Sequence, residues 1–214
     1  MMTKTVIIGT NHAGIAAANT LLDNYPDQEV VMIDRNSNLS YLGCGTALWV
    51  GRQVNDYHGL FYTKVEDFTN KGAKITLEAE VKDIDFDKKV VHYIKKDGTE
   101  LTEDYDKLIL ATGSLPISPN VAGKDLNGIH FLKLFQDGQD VDKEISAEEV
   151  KNVAVIGAGY IGVEIAEAIR KRGKEVYLFD VADRVLSTYY DRSFSDKVEE
   201  ILSKNGIHLC LSES

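Results

Sequence analysis

The chain has 214 residues, of which 43% are hydrophobic and 27% are charged, so it is long enough for one large or two small hydrophobic cores. A formal net charge of -10, with acidic and basic residues mixed along the chain, argues against nucleic acid and anionic membranes as partners. Two cysteines cannot form a disulfide framework or a zinc cluster, so no metal site is expected, and the lack of an apolar run of about 18 residues predicts a cytoplasmic protein without membrane spans.

The first predicted elements are a strand, a glycine turn, a helix and a second strand. The β-branched run TVIIG ends at Gly9, and AGIAAANTLLDNYP has apolar residues on one helical face until Pro26 ends the pattern. The buried strand EVVMID then ends at Asp34. This order predicts a βαβ unit.

The turn of this unit, GTNHAG, departs from the usual dinucleotide loop. Gly9 and Gly14 stand at the first and third glycine positions, but Asn11 replaces the middle glycine. Asp34 favours a nucleotide site, because a carboxylate at the end of the second strand is where a ribose is held; the alternative is a turn residue. His12 either caps the helix or lies beside the reactive end of a cofactor, and the sequence leaves both interpretations open.

The stretch SYLGCGTALWVG sets Cys44 between two glycines at the predicted start of a helix. A thiol at a helix N-terminus is favoured as the thiolate, which is its reactive form, and flanking glycines leave the sulfur accessible. The alternative is a buried cysteine that acts as a small hydrophobic residue, and we prefer it for Cys210 in the strand-like IHLCLS. For Cys44 the glycines favour reactivity, because burial alone does not explain them.

The middle of the chain reads as β structure. Residues 75 to 110 alternate in strand fashion, with a hairpin predicted at Asp97 and Gly98. In YDKLILATGS a buried strand leads into Ala111, Thr112 and Gly113, whose small side chains would let backbone lie against a cofactor, unless the strand simply ends at a turn. Residues 115 to 128 contain two of the three prolines and are predicted to cross between domains.

A second βαβ unit begins at NVAVIGAGYIG. Gly157, Gly159 and Gly162 form G-x-G-x-x-G between a strand and a helix: the first permits the turn, the second lets a pyrophosphate approach, and the third lets helix and strand pack closely. Asp180 ends the next strand and would accept the ribose hydroxyls; because it repels a 2′-phosphate, NADH is favoured over NADPH. Arg184 leaves that preference open, and a plain glycine turn is the alternative to the whole motif.

These motifs together carry a family resemblance. GTNHAG, the Asp34–Arg35 pair, SYLGCG, YDKLILATGS and GAGYIG followed by Asp180 resemble the flavoprotein pyridine nucleotide-disulfide oxidoreductases along all 214 residues, and within them the single-cysteine branch of NADH oxidases and NADH peroxidases. Disulfide reductases of this superfamily have a partner cysteine five positions later; here that position is Trp49, so no dithiol can form. GTALWVG resembles the water-forming NADH oxidases more than the coenzyme A disulfide reductases or the peroxidases.

The resemblance implies an α/β fold of two Rossmann-like, three-layer nucleotide-binding domains with an inserted antiparallel β segment. The FAD-binding domain would comprise residues 1–120 and the NADH-binding domain residues 121–214. In the family, a later segment completes the FAD domain and a C-terminal domain forms the dimer. We therefore expect a truncated chain with exposed apolar sheet edges and weakened FAD binding, and a parent protein that forms a homo-oligomer.

The resemblance also implies the cofactor-binding residues. FAD is expected to contact Gly9, Thr10, Asn11, His12, Ala13, Gly14, Asp34, Arg35, Cys44, Val81, Ala111, Thr112, Gly113, Ser114 and Lys133. NADH is expected to contact Gly157, Gly159, Tyr160, Ile161, Gly162, Asp180 and Tyr189. By the same analogy, Tyr160 covers the nicotinamide side of the flavin and must move for hydride transfer.

The implied activity is that of an NADH oxidase with two catalytic residues, Cys44 and His12. NADH would pass a hydride to FAD, O2 would be reduced to peroxide, and the Cys44 thiolate would cleave the peroxide to water and a sulfenic acid that a second NADH reduces. His12 would exchange the protons. The alternatives are an NADH peroxidase, a coenzyme A disulfide reductase, or a nucleotide-binding redox sensor without catalysis.

Overall fold

The computed structural model describes residues 2–213 and divides into two compact units. The first unit contains the residues up to Leu42 together with Leu60–Leu115, and the second contains Gly43–Gly59 together with the residues from Pro116 onward. The division at Leu115 lies within the proline-containing stretch predicted to cross between domains. The grouping of Gly43–Gly59 with the second unit has no counterpart in the sequence analysis. The assignment of residues 1–120 to FAD binding and of residues 121–214 to NADH binding stays a prediction.

The secondary structure follows the predicted order. The strands of residues 2–213 are β1 Thr3–Ile8, β2 Gln28–Ile33, β3 Lys74–Thr76, β4 Ala79–Asp85, β5 Val90–Lys95, β6 Glu100–Asp104, β7 Lys107–Leu110, β8 Asn152–Ile156, β9 Glu175–Asp180 and β10 Ile207–Leu211. The α-helices are α1 His12–Asn24, α2 Thr46–Val50, α3 Val65–Thr69, α4 Phe135–Ser146, α5 Tyr160–Lys171 and α6 Arg192–Lys204. Short 3-10 turns occupy Gly43–Gly45 and Tyr57–Leu60.

The first unit is built on a parallel sheet with strand order β3-β2-β1-β7. Because side chains alternate along a strand, Ile7 of β1 packs in a core with Ile15 of α1 and Phe68 of α3. Val6 points to the other core, which contains Val91 and other residues of the antiparallel strands. Both faces of the strand are therefore covered, as is usual for parallel sheets.

The inserted β segment is an antiparallel sheet of order β4-β5-β6. The predicted hairpin is confirmed: β5 and β6 are joined by a turn in which Lys95 and Thr99 are bonded through their backbones and Gly98 has a φ of 87°. A positive φ is the backbone conformation that glycine adopts without strain.

The second unit contains a parallel sheet of order β10-β9-β8. Val176 and Leu178 of β9 pack in one core with Ile165 and Ile169 of α5. On β8, by contrast, Ile156 is 81% exposed. Helix α5 ends at Lys171, and Gly173 follows it with a φ of 80°, as is common after a helix.

The predicted fold class is confirmed: two parallel α/β units of Rossmann type with an inserted antiparallel sheet. Within residues 2–213, none of the helices combines the length and apolar character that crossing a membrane requires.

Candidate functional site

The first glycine loop is held by close backbone packing at the end of β1. Gly9 has a φ of 108°, and a Cβ built on it would lie 2.1 Å from the carbonyl oxygen of Ala111. A Cβ on Gly14 would lie 1.9 Å from the carbonyl oxygen of Gly9. The loop therefore needs glycine at both places, and it brings the start of α1 and the residue after β7 against the end of β1.

Asp34 accepts four side-chain hydrogen bonds, two of them from this loop. Its Oδ2 accepts from the backbone N–H of Thr10 at 2.6 Å and from the Thr10 hydroxyl at 2.9 Å. Its Oδ1 accepts from the backbone and side-chain nitrogens of Asn36 at 2.8 and 2.9 Å. The residue is only 8% exposed, and a buried carboxylate needs such donors. The alternative of a simple turn residue accounts for the Asn36 contacts but not for the bonds to Thr10.

His12 is the first residue of α1 and pairs with an aromatic residue that the sequence analysis did not consider. Its Nδ1 lies 3.1 Å from the hydroxyl of Tyr62, and the two rings are stacked with centroids 5.6 Å apart and planes 5° apart. Burial raises the pKa of the Tyr62 hydroxyl. The helix carries no side-chain cap, so capping does not explain His12.

The remaining first-unit candidates surround this loop or lie further along the sheet. Ala111 donates its backbone N–H to Ile8 at 2.8 Å and so extends β7 alongside β1. Val81 is half-buried in β4, where it packs into the core that β1 shares with the antiparallel sheet. Side chains exposed to solvent belong to Asn11, Ala13, Arg35, Thr112 and Ser114, and Gly113 is also exposed.

The second glycine loop repeats the geometry of the first. Gly157 has a φ of 102°, and a Cβ on Gly162 would lie 1.7 Å from the carbonyl oxygen of Gly157. Gly159 differs, because a Cβ there would meet only the Tyr189 ring, at 3.8 Å. The first and third glycines are thus needed by the backbone, whereas the second leaves open space at the start of α5.

Asp180 corresponds to Asp34. Its Oδ2 accepts from the backbone N–H of Ala158 at 2.6 Å, and its Oδ1 accepts from the backbone N–H of Ala182 at 2.8 Å. In both units the carboxylate that ends the second strand therefore accepts a hydrogen bond from the residue that follows the first glycine. Since Ala158 has no hydroxyl, Asp180 accepts fewer hydrogen bonds from the protein than Asp34 does and keeps more capacity for a ligand.

Aromatic residues lie beside the second loop. Tyr160 contacts the ring of Tyr189 at 4.3 Å between centroids and donates its hydroxyl to that of Tyr190 at 3.0 Å. This hydrogen bond, followed by burial, raises the pKa of Tyr160. Tyr160 and Tyr189 were predicted and Tyr190 was not; the next candidate along α5, Ile161, has an exposed side chain.

Cys44 is exposed and lies in the 3-10 turn that precedes α2. The hydroxyl of Thr46 closes this turn by donating to the carbonyl of Gly43 at 2.8 Å. Trp49 is buried, with ring contacts to Tyr57 and Phe135. The exposed Cys44 therefore lies in the turn before α2, and the C-terminal part of α2 is buried.

The C-terminal end of α2 is fastened to α5 and α4. Arg172, at the end of α5, donates from Nη1 to the carbonyl of Val50 and to Asp142 of α4, both at 2.9 Å. Asp142 also accepts a hydrogen bond from Arg52. Lys133, which precedes α4, donates its backbone N–H to Asp137 in the first turn of that helix. Cys44 and Lys133, both predicted FAD contacts, therefore belong to the second unit by their contacts.

The donor set of these loops suits the phosphates of a dinucleotide. Helices α1 and α5 begin without a side-chain cap and without an acidic residue in the first turn, so their first N–H groups can donate to phosphate. Across residues 2–213, histidine, cysteine and acidic side chains form no group of three or more that could hold a metal ion.

Comparison with known proteins finds several relatives that are named NADH oxidases. The NADH oxidase of Lactococcus lactis subsp. cremoris is 61% identical over 210 residues, which cover 98% of this chain and 47% of that protein. An NADH oxidase of Streptococcus pyogenes serotype M6 is 45% identical and is covered to 49%. The solved structure of the water-forming NADH oxidase from Lactobacillus brevis bound to NADH matches 99% of this chain and 47% of that chain, with a TM-score of 0.94 and 37% identity.

The chain thus spans about half the length of the curated relatives it matches. The family model described as pyridine nucleotide-disulphide oxidoreductase matches residues 3–214. The family resemblance drawn from the motifs is confirmed, and the chain belongs to the pyridine nucleotide-disulphide oxidoreductase family.

Proposed function

We propose that this chain is the nucleotide-binding part of a water-forming NADH oxidase that uses FAD. The observation that carries the proposal is the repeated loop geometry: in each unit a strand-ending carboxylate accepts a 2.6 Å hydrogen bond from the residue after the first glycine. Two such loops suit two dinucleotides. The names of the relatives, which are NADH oxidases, support the choice of reaction.

FAD is proposed to bind to the first loop, with its phosphates at the start of α1 and its ribose at Asp34. The uncapped N-terminus of this 13-residue helix fits a pyrophosphate, because its free N–H groups and positive potential favour anions. The Thr10 and Asn36 donors hold the Asp34 carboxylate in a fixed orientation, and a ribose hydroxyl would share the carboxylate with these donors.

NADH is proposed to bind to the second loop. The open space at Gly159 would let the pyrophosphate approach the start of α5, and Asp180 would accept from the ribose hydroxyls. A carboxylate at this place repels a 2′-phosphate, which supports NADH over NADPH. The ring of Tyr189, the nearest group to a Cβ on Gly159, would form one side of the site.

Cys44 and His12 are proposed to carry the chemistry of the protein itself. FAD would supply two-electron transfer from NADH to oxygen. The Cys44 thiolate would attack hydrogen peroxide, breaking the O–O bond to give a sulfenic acid and a hydroxide that a proton converts to water. Two electrons from a second NADH and one proton would then return the sulfenic acid to thiolate and release the other oxygen as water. His12 would donate and accept the protons of these steps.

Oxygen uptake tests this proposal against its rivals. With FAD-loaded full-length protein and NADH, we expect oxygen consumption without added peroxide and no accumulation of peroxide. Turnover only when hydrogen peroxide is added under anaerobic conditions would instead identify an NADH peroxidase. Flavin absorbance with neither activity would leave a nucleotide-binding redox sensor. Homo-oligomer formation by the full-length protein and a cytoplasmic location remain proposals.

A further inference from the structure

The stacked pair of His12 and Tyr62 fixes the imidazole in two ways. Nearly parallel planes, 5° apart, restrict the tilt of the ring, and the 3.1 Å contact between Nδ1 and the hydroxyl restricts its rotation. Tyr62 lies 50 positions from His12 in sequence, so the contact belongs to the folded unit and not to the local helix. Both residues lie in the first unit.

The chemistry of the contact determines where the proton of the neutral imidazole resides. A neutral imidazole has one protonated nitrogen and one nitrogen that accepts, and the partner of one nitrogen decides the state of the other. A phenol shares its proton readily with a basic nitrogen, whereas its oxygen accepts weakly because a lone pair is delocalised into the ring. The hydroxyl of Tyr62 keeps its proton near neutral pH, because desolvation raises its pKa from an ordinary value that is already about 10. The Nδ1 atom of His12 therefore accepts.

We propose that Tyr62 is a positioning residue for His12, which it holds with the proton on Nε2 and with Nδ1 as the acceptor. Across the described residues, Nε2 has no hydrogen-bond partner, so its N–H is available to a ligand. The use of this proton in catalysis rests on the proposed function, whereas the position of the proton does not.

A second histidine, His58, provides a reference with the proton on the other ring nitrogen. The Nδ1 of His58 lies 2.6 Å from a carboxylate oxygen of Asp56, and its ring stacks on Tyr57 with centroids 4.3 Å apart. A carboxylate can only accept, so Nδ1 of His58 must carry a proton. Tyr57→Phe is the matched control, because it removes a hydroxyl from a tyrosine that contacts its histidine through the ring.

Nitrogen NMR of the 214-residue chain without cofactor tests the position of the proton. Histidine is labelled with nitrogen-15 and observed at about pH 8, where an ordinary imidazole is neutral, and His12→Gln and His58→Gln identify the two signals. We expect a protonated Nε2 for His12 and a protonated Nδ1 for His58. Tyr62→Phe should shift the tautomer ratio of His12 by about two- to tenfold, the worth of one hydrogen bond, and Tyr57→Phe should leave that ratio unchanged.

Two results would overturn the proposal: a proton on Nδ1 of His12 in the unaltered chain, or the same tautomer ratio in Tyr62→Phe and Tyr57→Phe. If Tyr62→Phe does not fold, the signal of the unaltered chain decides alone.

Steady-state kinetics of the FAD-loaded full-length protein test the functional consequence. We expect Tyr62→Phe to lower kcat about two- to tenfold with an unchanged KM for NADH, because proton transfer and not NADH binding is affected. Tyr57→Phe should change neither constant. An unchanged kcat in Tyr62→Phe contradicts the positioning role. Absence of NADH oxidation by the unaltered protein would refute the proposed function and leave the NMR result to decide the position of the proton.

Discussion

Replacing Gly9 with alanine is expected to destabilise the first unit more than the equivalent change, Gly157→Ala, destabilises the second. Gly9 follows β1, an interior strand, and Gly157 follows β8, at the edge of its sheet, but their φ angles, 108° and 102°, are nearly equal. An alanine at either place therefore has a similar backbone strain, of about 1–3 kcal/mol. The surroundings differ, because a Cβ on Gly157 meets nothing within 4 Å, whereas one on Gly9 lies 2.1 Å from the carbonyl oxygen of Ala111.

The extra cost at Gly9 follows from that contact. Real Cβ atoms essentially never approach other heavy atoms closer than 3.0 Å, so β7 and the loop would have to separate by about 0.9 Å, the difference between 3.0 and 2.1 Å. Forced displacement in a packed region costs about 1–3 kcal/mol. We therefore expect losses of about 4 kcal/mol for Gly9→Ala and about 2 kcal/mol for Gly157→Ala, out of a total stability of about 5–15 kcal/mol.

Urea unfolding monitored by hydrogen exchange would measure the unfolding free energy of each unit separately. Peptides from β1, β2 and β7 report on the first unit, and the single tryptophan, Trp49, gives a fluorescence signal from the second. Gly59→Ala is the control, because a Cβ there meets nothing within 4 Å and its φ is not in the left-handed region. A Gly9→Ala protein that loses no more stability than Gly157→Ala would refute the close-approach argument.

Three further changes test other parts of the account. Gly159→Ala should change the free energy of unfolding by less than about 0.5 kcal/mol relative to the unaltered chain. It should weaken NADH binding at least about tenfold in a fluorescence titration, because its methyl group would fill the space proposed for the pyrophosphate. Arg172→Met should cost about 2 kcal/mol in urea unfolding, since it removes charged hydrogen bonds, whereas the exposed Lys171→Met should cost less than about 0.5 kcal/mol. The backbone N–H of Lys64 and the Thr63 hydroxyl lower the pKa of Asp67. The Asp67 carboxylate therefore stabilises the fold above pH 3.8, the ordinary pKa, and this contribution is lost as the pH falls through the lower pKa of the folded state. Asp67→Asn should be less stable than Glu66→Gln at pH 7. Equal stability of the two variants at pH 7 would contradict this.

The features that local sequence could predict are those that the backbone decides within a few residues. Gly9 and Gly157 mark turns because only glycine adopts their φ without strain, and the short β-branched runs before them indicate strands. Asp34 and Asp180 end the following strands, and the parallel arrangement brings them to the loops. The hairpin at Gly98 is local in the same sense.

The features that the sequence could not predict depend on contacts between distant residues. Tyr62 and Tyr190 reach their partners across 50 and 30 positions, and nothing in the residues beside them signals a histidine or a tyrosine partner. The place of the Cys44 segment in the second unit likewise depends on Arg172 and Val50, which lie 122 positions apart. Only the tertiary structure brings these residues together.

The ratio of NADH consumed to oxygen consumed shows whether the Cys44 thiolate reduces peroxide to water. It should be measured with FAD-loaded full-length protein carrying Cys44→Ser and, as the matched control, Cys210→Ser, which changes the other thiol of the chain. We expect two NADH per O2 and no hydrogen peroxide for Cys210→Ser, and one NADH per O2 with stoichiometric hydrogen peroxide for Cys44→Ser. Formation of water alone by the Cys44→Ser protein would contradict the role of the Cys44 thiolate.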